Sequence, residues 1–175
     1  MAKRMSLRLL NFRLARSTAG IIMLCFVGLI QVTPIAAADT SVYPDTSSYR
    51  SVPSREIYRV VDEDGVWFTS ALGLPCSIKD DGSFGCSGKM AGVRAGENEA
   101  AWFSGDASPR LYATAHPQFD SGAGQTLLLG LTYIEYRGSR CSATRESSIY
   151  CIHADDPNSQ LLVTSTNVLR GVLGS

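Results

Sequence analysis

Beyond residue 39 the apolar positions fall in short groups that alternate with polar ones and do not follow a helical period. Residues 65–70 carry Val66, Trp67 and Phe68, and residues 127–136 carry a longer apolar and aromatic run. Further strand candidates are residues 56–61, 100–103, 110–114 and 160–164, each bounded by Gly, Pro, Asp or Ser. This pattern predicts an all-β fold, a small antiparallel sandwich or barrel. A short helix at residues 168–173 is the one helical expectation.

Two of these stretches share a plan. Between Cys76 and Cys86 the centre Asp80-Asp81-Gly82 reads as a three-residue turn with glycine where φ must be positive. A hairpin about Asp81 sets Cys76 opposite Cys86 and places Cys76, Ile78, Phe84 and Cys86 on one face. Cys141 and Cys151 repeat the construction about Glu146, with Cys141, Ala143, Ile149 and Cys151 on one face and Ser147 in the glycine's place. Laid ungapped over residues 130–151, residues 65–86 align Gly65 with Gly130, Phe68 with Tyr133 and Gly73 with Gly138, and the cysteines coincide. The domain is thus expected to be built from two related disulfide-stapled hairpin units. Closing each loop contributes about 2.5 to 3 kcal/mol in the chain-entropy model.

The N-terminal pattern differs. Residues 1–18 are basic, residues 19–30 are apolar, and residues 31–38 end in Ala36-Ala37-Ala38, the order of a cleaved secretory signal with the cut after Ala38. An uncleaved anchor is the competing reading, weakened by Gln31, Thr33 and Pro34. With 1–38 as signal peptide, the general secretion route follows, since the chain start lacks paired arginines. No stable membrane span remains after removal. Residues 39–54 contain little apolar surface and read as a flexible Ser/Thr/Pro-containing arm; residues 55–175 form the disulfide-stapled domain. One domain fits this length.

Charge sharpens this picture. The whole chain balances 16 basic against 16 acidic residues, but Lys3, Arg4, Arg8, Arg13 and Arg16 all lie in the signal, which leaves the remainder acidic. That excludes a generally basic nucleic-acid binder. Removal of the signal also removes Cys25 and leaves an even set of four cysteines in an exported chain, the setting for disulfides. A four-thiolate zinc site is the alternative, against which the nine-residue spacings speak. No cofactor or metal is expected.

The run Trp67-Phe68-Thr69, Gly73-Leu74-Pro75-Cys76-Ser77-Ile78 and Gly85-Cys86-Ser87-Gly88, followed by the second Cys141/Cys151 unit, resembles small exported proteins of mycobacteria and related actinobacteria. The resemblance covers roughly residues 60–165. It implies an envelope or extracellular location and transfers no catalytic residues.

Candidate chemistry is sparse. His153 beside Asp155 and Asp156 invites a Ser-His-Asp hydrolase, but no nucleophile elbow accompanies it, and a polar turn explains the same residues. Glu97 and Glu99 could serve glycoside hydrolysis only with a separation that two neighbours on one strand face do not supply. The acidic run 62–65 lacks the ligand spacing of a calcium loop. The aromatics Trp67, Phe68, Trp102 and Phe103 are the best candidate binding surface, because adjacent strand residues point to opposite faces and one of each pair can face solvent. The expectation is a secreted, non-enzymatic domain that binds an envelope or extracellular protein or glycan. The alternatives are a small secreted hydrolase and a protease inhibitor presenting residues 71–75.

Overall fold

The structure, a computed structural model, describes residues 41–172; the expected signal peptide lies outside them. The strands are β1 (Arg50–Ser51), β2 (Val66–Thr69), β3 (Pro75–Ile78), β4 (Phe84–Ser87), β5 (Glu99–Trp102), β6 (Arg110–Tyr112), β7 (Thr126–Leu127), β8 (Thr132–Tyr136), β9 (Ser139–Ala143), β10 (Ile149–His153), β11 (Leu161–Val163) and β12 (Val168–Arg170). They form two six-stranded sheets, ordered β7-β2-β3-β4-β5-β6 and β1-β8-β9-β10-β11-β12. The fold is all-β, as the alternation predicts.

Both hairpins form in the expected register. Cys76 lies opposite Cys86 and Cys141 opposite Cys151, and disulfides join them across Cα separations of 4.0 and 4.1 Å. In the first turn Lys79 N–H donates to Ser83 O at 2.7 Å, and Gly82 takes φ +87°. In the second, Thr144 N–H donates to Ser148 O at 2.9 Å, and Ser147 holds φ +63°. A side chain is disfavoured in that left-handed region. Ser147→Gly is therefore expected to raise stability by about 0.5 to 1 kcal/mol in urea titration.

The two cysteine faces meet. Cys76, Ile78, Phe84 and Cys86 from one sheet and Cys141, Ala143, Ile149 and Cys151 from the other belong to one buried cluster. Burial of these faces drives the pairing of the sheets at roughly 25 cal/mol per Å² of apolar surface removed from water.

The duplication extends further than the ungapped overlay, and with gaps. Phe68 faces Cys76, whereas Ile134 faces Cys141, so Phe68 corresponds to Ile134 and Trp67 to Tyr133. The one-residue shift arises between the first two strands of each copy: residues 70–74 join β2 to β3, but Arg137 and Gly138, at φ +52° and +78°, form a two-residue turn from β8 to β9. Gly65, at φ +95°, accordingly matches Leu131, at φ +61°, rather than Gly130. A Cβ at Gly65 would lie 2.2 Å from Ile78 O. Beyond the hairpins, β5 and β6 correspond to β11 and β12 by position in their sheets.

The leading segments cross between copies. β1, ahead of the first copy, pairs in parallel with β8 of the second, and β7, ahead of the second, pairs in parallel with β2 of the first. Val52 and Leu128, just after these strands, are both buried. Residues 41–54, expected as a free arm, are thus laid on the second sheet, because backbone pairing and two anchoring side chains, Tyr43 and Val52, supply what composition alone does not. Three other segments differ from expectation. Residues 56–61 contain a single 3₁₀ turn, Glu56–Tyr58, in place of a strand; residues 127–136 are divided by the bend at Leu131; and residues 168–173 contribute β12 where a helix was considered.

Candidate functional site

The sheet register carries Trp67, Ser77, Gly85, Ala101 and Arg110 in one row across the outer face of the first sheet. Gly85 and Ala101 leave a hollow that the ring of Phe119 fills: a Cβ at Gly85 would come within 2.8 Å of Phe119 Cδ2. Phe119 belongs to a strap, residues 113–125, that returns from β6 to β7 over this face. On the second sheet the equivalent row is Tyr133, Ser142, Tyr150, Leu162 and Leu169. There Tyr43 is the plug, with its ring 5.7 Å from that of Tyr150 and its hydroxyl donating to Gly171 O at 2.6 Å.

Most of the candidate aromatics are buried, Phe68 and Trp102 in the core shared by the two sheets and Trp67 on the outer face. Trp67, Phe68 and Trp102 are 1%, 0% and 6% exposed, so three of the four proposed surface residues are closed to a partner. The expectation that one of each adjacent pair faces solvent fails for Trp67 and Phe68, both buried, and holds for Trp102 and Phe103, of which Phe103 reaches the surface. Trp67 lies on the outer face, donates from Nε1 to Asp64 O at 3.0 Å, and carries the Lys79 ammonium 3.7 Å from its ring centre. Burial lowers the pKa of Lys79. Trp102 stacks between Phe84 at 5.6 Å and His153 at 4.6 Å.

Phe103 alone of the four stays partly exposed. With Arg110, Tyr112 and Gln118 it lines a cleft of about 340 Å³ on the outer face. The Arg110 guanidinium lies 4.6 Å from the Phe103 ring centre, and its Nε is 3.1 Å from Asp106 Oδ2. The rings of Tyr112 and Phe119 stand 6.2 and 5.9 Å from that of Phe103. The cleft therefore has aromatic walls and an almost wholly apolar lining, with the Arg110 and Gln118 side chains at its border.

Its walls are held from beneath by Glu99, which has no exposed surface. Oε2 accepts from Ser87 Oγ at 2.8 Å and from the Gln118 backbone N–H at 2.9 Å, while Oε1 accepts from the Tyr112 hydroxyl. Ser87 Oγ in turn accepts from Phe119 N–H at 3.3 Å. A buried carboxylate with three donors is satisfied, whereas an unpaired one would be costly. Burial, reinforced by the Glu99 carboxylate, pushes the pKa of Tyr112 well above the ordinary phenol range, so its hydroxyl remains a donor. Glu97 takes no part, since its Oε2 accepts from Arg94 N–H within a local turn. The sequence groups the two acids as neighbours on one strand face; Ser87 and Tyr112 reach Glu99 from the adjacent strands β4 and β6, and only the Gln118 N–H comes from the strap.

His153 does touch a serine. Ser139 Oγ lies 2.9 Å from His153 Nδ1 and donates to Gly82 O at 2.5 Å. With its one proton on Gly82, Ser139 accepts from the imidazole, the reverse of the direction that activates a nucleophile, and it has no exposed surface. Asp155 is paired with Arg140 at 3.2 Å, and Asp156 accepts from Asn158 N–H at 3.0 Å. His116 is exposed on the strap. The segment 71–75 closes a tight turn, with Ser70 N–H bonded to Leu74 O at 2.9 Å and Leu74 buried; an inhibitor loop would present an extended segment. Among the described residues no group of three or more His, Cys, Asp or Glu is placed to hold a metal ion, and no helix is long and apolar enough to cross a membrane.

The plug of the second sheet is testable by titration. Burial, with smaller contributions from Tyr43 and Asp155, pushes the pKa of Tyr150 up to about 12. A raised folded-state value means that this stabilisation is complete below the unfolded tyrosine pKa of about 10 and is lost as pH rises through about 12. Denaturation midpoints are expected to fall across that window, and Tyr150→Phe should flatten the fall. Comparisons with family models, with curated proteins and with solved structures find no match to this chain.

Proposed function

We propose that the chain is an exported, non-enzymatic binding domain of the cell envelope or extracellular space, and that its ligand is a glycan seated between Phe103, Arg110, Tyr112 and Gln118. The observation that carries this reading is the cleft itself: aromatic walls beside Arg110 and Gln118, with the Tyr112 side chain and the Gln118 backbone tied to buried Glu99. A sugar ring has an apolar C–H face suited to Phe103 and Tyr112, and hydroxyls that accept from guanidinium and amide groups. The volume of about 340 Å³ is at the lower end for small-ligand sites. The basic, apolar and small-residue order of residues 1–38, the two disulfides and the actinobacterial resemblance support the location.

Calorimetry of the oxidised protein with soluble glycan strands released from cell wall tests the reading. Saturable binding is expected, and Phe103→Ala should weaken it about tenfold, the equivalent of about 1.4 kcal/mol, with little change in thermal midpoint. Absence of glycan binding, or capture of a protein partner that ignores Phe103, would overturn it.

A further inference from the structure

We infer that the second copy carries a second glycan site, placed on the opposite outer face, so that one molecule joins two glycan chains; this rests on the glycan reading of the first cleft. The straps are the starting point. Phe119 and Tyr43 plug the two outer faces in the same way, and Gln118 and Val42, the residues just before each plug, each border a cleft. The residue that follows β5 is Phe103 and the one that follows β11 is Thr164; these too border the two clefts. Both halves also bury a hydroxyl without a hydrogen-bond partner at the same place in the outer row, Ser77 and Ser142.

The second cleft has a volume of about 380 Å³ and a different lining. Ser148, Thr164, Thr166 and Asn167 supply hydroxyl and amide groups, Glu146 supplies a carboxylate that can accept from sugar hydroxyls, and Val42 and Leu162 supply apolar surface. Thr164 Oγ1 donates to Asn167 Oδ1 at 2.6 Å and accepts from Asn167 N–H at 2.9 Å. This fixes the carbonyl end of the Asn167 amide, and its NH₂ group has no acceptor among the described residues. A neutral, hydroxyl-rich ring matches such a surface, since it can both donate and accept. The first site favours the apolar face of a sugar and the second its hydroxyl edge.

Geometry then sets the consequence. The cysteine faces of the two sheets share one core, so the two outer faces point away from each other. Neighbouring units of one straight glycan cannot fill both clefts, whereas two chains can. The molecule is a bridge, and its effect depends on both sites being occupied at once.

The test uses the oxidised protein and the same soluble cell-wall glycan strands, with stoichiometry read by calorimetry and bridging read as recruitment of fluorescent strands to strand-coated beads. Two sites per chain and recruitment are expected. Val42→Trp, from an exposed position, and Asn167→Ala should each reduce the stoichiometry to one and abolish recruitment, while leaving binding that Phe103→Ala weakens. One site per wild-type chain, still sensitive to Phe103→Ala, would overturn the second site and leave the first standing. No binding by the folded wild type would remove the glycan reading and this inference together.

Discussion

Glu99→Leu is expected to destabilise the protein by about 2 to 4 kcal/mol in urea unfolding and to weaken glycan binding at the Phe103 cleft. The change removes the acceptor for the Ser87 hydroxyl, the Gln118 N–H and the Tyr112 hydroxyl. Each buried donor left without a partner costs about 1 to 3 kcal/mol. Tyr112 and Gln118 can turn toward water, being only partly buried or exposed, but Ser87 cannot. The strap loses its tether at Gln118 and, through Ser87, part of its tether at Phe119. Glu99→Gln retains the size and one accepting oxygen, so its cost should be smaller, about 1 to 2 kcal/mol. A Glu99→Leu protein within 0.5 kcal/mol of wild type would show that the carboxylate does not hold the strap.

Removing the bridges should have the other large effect. Each disulfide closes a short hairpin loop and is buried in the shared core. Replacing Cys141 and Cys151 by alanine is expected to cost about 2.5 to 3 kcal/mol through freedom regained by the unfolded chain. Serine at both positions should cost more, because two hydroxyls would enter an apolar core without partners. Loss of both bridges would then remove about 5 to 6 kcal/mol, enough to unfold a domain at the lower end of the ordinary range of about 5 to 15 kcal/mol. Urea midpoints of oxidised single-bridge and double-bridge variants measure this. Equal midpoints for the wild type and the variant lacking both bridges would contradict it.

Legibility in the sequence followed the range of the interactions. The hairpins could be read because a turn residue, an alternating face and a cysteine pair lie within a few positions of one another. Gly82 marked the first turn; in the second, Ser147 accepts the same left-handed geometry without a glycine to announce it. The crossed pairing of β1 with β8 and β7 with β2 could not be read, since two-residue parallel strands carry no pattern of their own. The duplication was legible over residues 65–86 and 130–151, with the strand ahead of each hairpin one residue out of register. Differences in connection length between the copies break every ungapped alignment outside the hairpins.

The site was legible only in part, and the physical reason is the straps. Alternation set Trp67 and Phe68 on opposite faces without saying which faces the core, and facing outward does not mean exposure: Trp67 is buried on the outer face, with the Lys79 ammonium over its ring. Phe119, the strap residue that plugs that face, stands in a polar stretch, His-Pro-Gln-Phe-Asp-Ser-Gly. One signal was present: Gly85 and Ala101, small residues opposite each other on neighbouring strands, imply a hollow that something must fill. Phe103 was named for its aromatic ring. Its partners Arg110, Tyr112 and Gln118 come together through the β5–β6 register and the Glu99 network, neither of which is local.

The central claim is that ligand is bound through the outer cleft of the first sheet, and amide chemical-shift mapping of the isotope-labelled, oxidised protein during titration with soluble cell-wall glycan strands tests it most directly. The account predicts saturable shifts centred on Phe103, Arg110, Tyr112 and Gln118, with a second set around Val42, Thr164 and Asn167 that Val42→Trp removes. Shifts confined to other surfaces, or none at saturating glycan, would contradict it.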